Sequence, residues 1–260
     1  MKIQHVWKMA LLLFVMMGLT QQASAQHVGL LSSGGIGNAA SNVAYFVSEN
    51  PGYTWESVDN TTLNAMTVAQ MNSTFDILIV PWTISSGLNM DWATRLLPFL
   101  TAGGNVLWED PANTSDLVGS GLTFGGSYTS SDIILVPPYD ANGAEGYFHV
   151  HYTIASHNED WTPFSVDADG GVHGVVGEFG AGRMVLGVSD NLYHADFATD
   201  PATYNFMINE TNFVLTGSVS GSTTGPATPI PTLGQWAVIL LTMLLGLVGV
   251  LTLSRRKLLN

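Results

Sequence analysis

The chain has 260 residues, of which 20 are acidic, 7 are basic and none is cysteine, for a formal net charge of −13. All the acidic residues lie between Glu49 and Glu210, whereas Lys2, Lys8, Arg255, Arg256 and Lys257 occupy the two ends, so the stretch between keeps only Arg95 and Arg183 and a net charge of −18. Such a body repels phosphate backbones and excludes nucleic acid as a partner, and the missing thiols exclude disulfides, thiolate catalysis and cysteine-based metal sites.

In chain order, Lys2 and Lys8 precede the apolar run from Met9 to Leu19, which closes on Ala23-Ser24-Ala25. A basic start, a short apolar run and a small-residue site predict a secretory signal peptide over residues 1–25, removed by signal peptidase after Ala25. The body, 26–216, then alternates strands with helices. His27 to Ser32 is an apolar strand, Asn38 to Asn50 a helix stopped by Pro51, Tyr53 to Val58 a strand, and Leu63 to Met71 a short helix. Phe75 to Val80 is apolar on both faces, as a central parallel strand must be. Asp91 to Ala102 reads as a helix closed by Gly103-Gly104, and Asn105 to Trp108 as the next strand. This order predicts an α/β fold: a three-layer, doubly wound, mostly parallel sheet of flavodoxin-like type. Beyond Asp116 the pattern turns to β-segments at Asp132–Val136, Gly146–Ile154 and Gly171–Val176. A hairpin follows over Glu178–Val188 with Gly180 and Gly182 in its turn, and Pro201 to Leu215 forms a closing helix.

Residues 217–229, rich in Gly, Ser, Thr and Pro, read as a flexible linker. Trp236 to Leu253 is an uncharged run, about 27 Å long as a helix, and Arg255-Arg256-Lys257 follow it. That pattern predicts a single transmembrane helix over 236–253 in the inner membrane, basic tail in the cytoplasm and body in the periplasm.

Ligands of open α/β sheets bind outside the carboxyl ends of the strands. The candidate binding residues there are Gly35, Gly37, Trp82, Asp110, Asp190 and His194. Gly35-Ile36-Gly37-Asn38-Ala39-Ala40, with Asp59 further on, fits a dinucleotide fingerprint, against which a tight turn at a helix start is the plainer reading. His149 and His151 share one side of a strand, where both can reach one zinc ion, with His157 or His173 completing the site. Asp167-Ala168-Asp169-Gly170-Gly171 opens like a calcium loop but lacks the later glutamate. Ser189, His194 and Asp110 compose a hydrolase triad on paper, without the G-x-S-x-G elbow.

Ile230-Pro231-Thr232-Leu233-Gly234-Gln235-Trp236, the apolar span and the basic tail together resemble the IPTL-CTERM protein-sorting domain over 230–257. The resemblance implies an exported protein of a Gram-negative bacterium, recognised through Ile230, Pro231, Thr232 and Leu233 by an exosortase-type transpeptidase and transferred towards the cell surface or extracellular matrix. Gly234-Gln235 departs from the Ser-Glu usual there; Trp236 is kept. The body resembles class I glutamine amidotransferase-like domains of the ThuA-like type. The resemblance rests on Phe75 to Pro81, Leu96 to Leu107 and Gly180 to Leu186. Where an amidotransferase carries its nucleophilic cysteine, this chain runs Trp108-Glu109-Asp110-Pro111, so the resemblance implies the fold without glutaminase chemistry. The combined expectation is a non-catalytic binding or envelope-structural domain with no cofactor; the alternative is an extracytoplasmic metal-dependent hydrolase holding zinc or calcium.

Overall fold

The computed structural model describes residues 25–32, 36–82, 88–109, 111, 114–126, 133–146, 153–187 and 191–219. The expected signal peptide, apart from Ala25, the expected transmembrane span and Ile230 to Leu233 lie outside them. Among the described residues no helix is long and apolar enough to cross a membrane.

Residues 25–226 form one compact unit. Its first half comprises β1 (Gln26–Leu31), α1 (Ala39–Glu49), β2 (Tyr53–Val58), α2 (Asn60–Ala65), α3 (Val68–Thr74), β3 (Ile77–Val80), a π-helical turn (Trp92–Leu96) running into α4 (Leu97–Thr101), and β4 (Asn105–Glu109). The second half holds β5 (Leu122–Phe124), β6 (Ile134–Leu135), β7 (Ile154–His157), β8 (Trp161–Val166), β9 (Val172–Phe179), β10 (Gly182–Gly187), α5 (Asn191–His194) and α6 (Pro201–Thr216).

The strands make one 10-stranded sheet in the order β2-β1-β3-β4-β10-β9-β7-β5, with β8 pairing β9 and β6. Pairs β2–β1, β1–β3, β3–β4 and β4–β10 are parallel. That half has the flavodoxin-like order of a doubly wound sheet. From β10 outward every pair is antiparallel. The expected "mostly parallel" sheet therefore holds for five strands and not for the whole; β8, β9 and β10 follow one another through short turns that only antiparallel neighbours allow.

Side chains alternate across the parallel strands and build two cores. Leu78 and Val80 of β3, Val106 and Trp108 of β4, and Met184 and Leu186 of β10 pack with Met71, Leu96 and Phe99 on one face. Ile77 and Ile79, Leu107 and Val185 pack with Val43, Phe46, Phe206 and Val214 on the other. Each strand buries both faces, which is why its sequence shows no polar alternation.

Helices α2, α3 and α6 begin on side-chain caps. Asp59 accepts from the Thr62 amide at 2.8 Å, and Asp200 from that of Thr203 at 3.1 Å, with Pro201 at the first helical position. Thr67 and Gln70 form a reciprocal capping box. That box starts a new helix at Val68, so the single helix expected over Leu63–Met71 is two, broken at Met66 and Thr67. The helix expected over Asp91–Ala102 opens as a π turn: the Leu96 amide reaches back five residues to the Asp91 carbonyl at 3.1 Å. Pro98 lacks an amide and crowds the carbonyl four residues before it, and the widened turn gives it room. In the last hairpin the turn is Gly180-Ala181, with Gly180 at φ 67°. Gly182 already lies in β10, where a Cβ would strike the carbonyl oxygens of Gly104 and Leu100. Its glycine serves close packing rather than the turn.

Candidate functional site

The carboxyl ends of the parallel strands bring together the start of α1, Trp82 after β3, Glu109 at the end of β4, and α5 after β10. Each is positioned by specific bonds. Glu109 is 4% exposed, and its Oε2 accepts from the Leu192 amide at 2.7 Å. The carboxylate thus holds the start of α5 against β4. The side chain faces inward and is engaged in tethering. Asp110 lies outside the described residues.

Gly37 has φ 49°, and a Cβ there would lie 2.5 Å from the Tyr193 carbonyl oxygen. The next amide, Asn38 N, donates to that oxygen at 2.9 Å, and Asn38 Nδ2 donates to the Ala195 carbonyl at 3.1 Å. One turn on, buried Asn42 donates from Nδ2 to the carbonyls of Leu192 and Ala195 at 2.9 and 2.8 Å, and its Oδ1 accepts from the Phe197 amide at 3.1 Å. The fingerprint-like glycine is therefore there for the close approach of the 191–197 segment, and Asp59 caps α2.

On this scaffold stand three rings. Trp82 meets Tyr193 edge-on, centroids 4.9 Å apart and planes at 89°. Tyr193 meets His194 at 4.7 Å and 70°, and Trp82 lies nearly parallel to His194, 6.3 Å away at 29°. Trp82 and Tyr193 are partly exposed and His194 is exposed. Of the expected binding residues, the structure brings Gly37, Trp82 and His194 to one edge; Gly35 and Asp190 lie outside the described residues. Tyr193 escaped the sequence reading. It follows a strand on the functional side of the sheet, and the same edge rule that selected His194 selects it too.

The metal readings fare differently. His149 and His151 lie outside the described residues, as does Ser189. His173 is fully buried, its Nε2 2.9 Å from Asp167 Oδ2. Asp167 Oδ1 accepts from the amides of Asp169 and Gly171 at 2.9 and 2.8 Å. The His173 hydrogen bond, followed by the Gly171 amide, holds the Asp167 carboxyl below its usual range. The calcium-like sequence is thus the β8–β9 turn, its first acid engaged in closing that turn. His157 sits exposed on β7 with Nδ1 3.1 Å from the Asn158 carbonyl. Among the described residues no group of three or more His, Asp or Glu is placed to hold a metal.

Both cations of the body hold helix C-termini. Arg95 donates to the carbonyls of Leu63, Asn64 and Met66 at 2.8, 2.9 and 3.0 Å, closing α2. Arg183 donates to the Val214 carbonyl at 3.4 Å and to Glu178 Oε1 at 3.3 Å. Cations at these ends satisfy orphan carbonyls and complement the helix dipole. Neither stands at the ring cluster to receive an anion.

Residues 228–256 match the IPTL-CTERM motif. The motif implies a C-terminal sorting signal, handled by an exosortase-type system, on an exported, envelope-sorted protein. No curated protein matches the chain. Among solved structures, a cytoplasmic protein of Salmonella typhimurium is similar at a TM-score of 0.50 and 11% identity, covering 73% of this chain and 98% of its own. A second cytoplasmic protein, of Salmonella typhimurium LT2, matches at 0.49 and 10%, covering 72% and 96%. A beta-galactosidase from Bacillus circulans matches at 0.43 and 14%, covering 74% of this chain and 31% of its own. At these identities the likeness is one of fold: a mixed α/β domain built on a central sheet.

Proposed function

We propose that the protein is made with a cleaved signal peptide, held in the inner membrane by residues 236–253 with its body in the periplasm, and processed near Ile230 to Leu233 by an exosortase-type transpeptidase. The body then acts outside the cytoplasm as a non-catalytic binding domain whose ligand sits at the carboxyl edge of the parallel strands. The match of residues 228–256 to the sorting motif carries the first part. The inward-facing Glu109, tethered where the related fold places a nucleophile, supports the second. A proline at position 231 disfavours helix at the residue before it, which suits a motif read outside the apolar span.

The test is the intact mass of the protein recovered from its native host. Loss of both the first 25 residues and the segment beyond the Ile230 region is the expected result. Retention of the C-terminal segment on all the mature protein refutes sorting and leaves a permanent anchor.

A further inference from the structure

We propose that the corner formed by Trp82, Tyr193 and His194 is a binding site for an organic cation of the guanidinium type, the head group of an arginine side chain. The inference rests on the carboxyl edge being the binding edge and adds the class of ligand. The three ring centroids lie 4.7, 4.9 and 6.3 Å apart, so a cation over this corner can stand within about 6 Å of both the Trp82 and the Tyr193 rings, the reach of a cation–π contact, with the His194 ring beside it. Trp82 and His194 are nearly parallel, at 29°, and Tyr193 stands across both, at 89° and 70°. A guanidinium is planar, weakly hydrated and stacks on aromatic faces, whereas an ammonium is compact and strongly hydrated.

Charge points the same way. The body carries −18, and its two arginines are engaged at the ends of α2 and α6. The field over the site therefore draws cations in and offers an anion no counter-charge. The corner is also held in place before any ligand arrives. Tyr193 and His194 sit on a segment fixed by Glu109, Asn38 and Asn42, which lowers the entropy lost on binding.

The experiment is calorimetric titration, at low salt, of the mature protein from its host with four probes: Nα-acetyl-arginine amide, its neutral planar isostere Nα-acetyl-citrulline amide, Nα-acetyl-lysine amide and tetramethylammonium. The arginine derivative is expected to bind at millimolar concentration and the citrulline derivative about tenfold more weakly or worse. Trp82→Ala is expected to weaken arginine binding by about 3- to 30-fold, the worth of one cation–π ring. His194→Ala, at an exposed position where folding is not at stake, gives the second reading and should weaken it several-fold. Equal binding of arginine and citrulline derivatives, unchanged binding in His194→Ala, or stronger binding of tetramethylammonium than of arginine overturns the inference. So does the absence of any heat with the arginine derivative. The sorting proposal is judged by the mass of the mature chain, and a different solute whose binding is lost in Trp82→Ala would keep the carboxyl-edge reading while refuting the guanidinium.

Discussion

Replacing Asn42 by alanine should loosen the segment that carries Tyr193 and His194 while leaving the two sheet-facing cores intact. Asn42 is 2% exposed and joins α1 to the 191–197 segment through three bonds of 2.8 to 3.1 Å. Alanine removes all three. The Ala195 carbonyl keeps a donor in Asn38, so the groups left wanting are the Leu192 carbonyl and the Phe197 amide. At roughly 1–3 kcal/mol for each buried group left unsatisfied, the loss is about 2–4 kcal/mol, because water reaches part of the segment. Aspartate keeps the acceptor for Phe197 but turns a carboxylate oxygen towards two carbonyls, and it should cost at least as much as alanine. The assay is urea denaturation of the mature protein followed by far-UV circular dichroism. With a slope of about 2 kcal/mol/M, the alanine midpoint should fall by about 1–2 M with the slope unchanged. A midpoint within about 0.2 M of the parent, or an aspartate variant as stable as the parent, would refute the argument that these bonds hold the segment.

Three other changes test other parts of the structure. Burial pushes the Glu210 carboxyl up to about 8 from an ordinary 4.5. The native state therefore binds a proton that the unfolded chain has lost between those values; stability is fully present below about 4.5 and is lost progressively as pH rises from there through 8. Glu210→Gln should flatten this slope between pH 5 and 9, and a parent and variant with parallel pH curves would count against it. Gly182→Ala drives a Cβ into the backbone carbonyls of Gly104 and Leu100 and should cost about 2–3 kcal/mol, read as a fall in thermal midpoint; an unchanged midpoint would mean the β10–α4 approach is looser than described. Arg95→Met leaves three carbonyls at the end of α2 without their clasp and should cost about 1–3 kcal/mol, with lysine restoring only part because it has no planar fork; full rescue by lysine would show that charge alone matters there.

Much of the parallel half was legible in the sequence. Strands such as Ile77–Val80, buried on both faces, cannot be confused with half-exposed ones, and the caps at Asp200 and Pro201 mark α6 within a residue or two. The antiparallel half was harder. Trp161–Val166 contains Pro163, which lowers its strand reading, yet β8 has a partner on each side, β9 and β6. Leu122–Phe124 is three residues long, too short to show a period. The break at Met66 and Thr67 depended on a capping box hidden in a polar stretch, and the π turn on Pro98, the seventh residue of the helical stretch that starts at Trp92. At the site, the edge rule found Trp82, Gly37 and His194, but nothing local says that Glu109 would turn inward or that Asn42 would reach across to residues 150 positions away. Those contacts follow from the sheet order, which only the assembled fold supplies.

The engagement of both arginines has a consequence for how the body resists proteolysis. Proteases that cut after lysine or arginine need the flanking chain extended in their cleft. Residues 26–216 contain no lysine, and the arginine side chains are anchored to helix ends, Arg183 with 24% of its surface exposed. Over residues 26–216 a folded body of this kind offers trypsin-like enzymes only two arginines, both tied to helix ends, and amine-directed reagents no lysine.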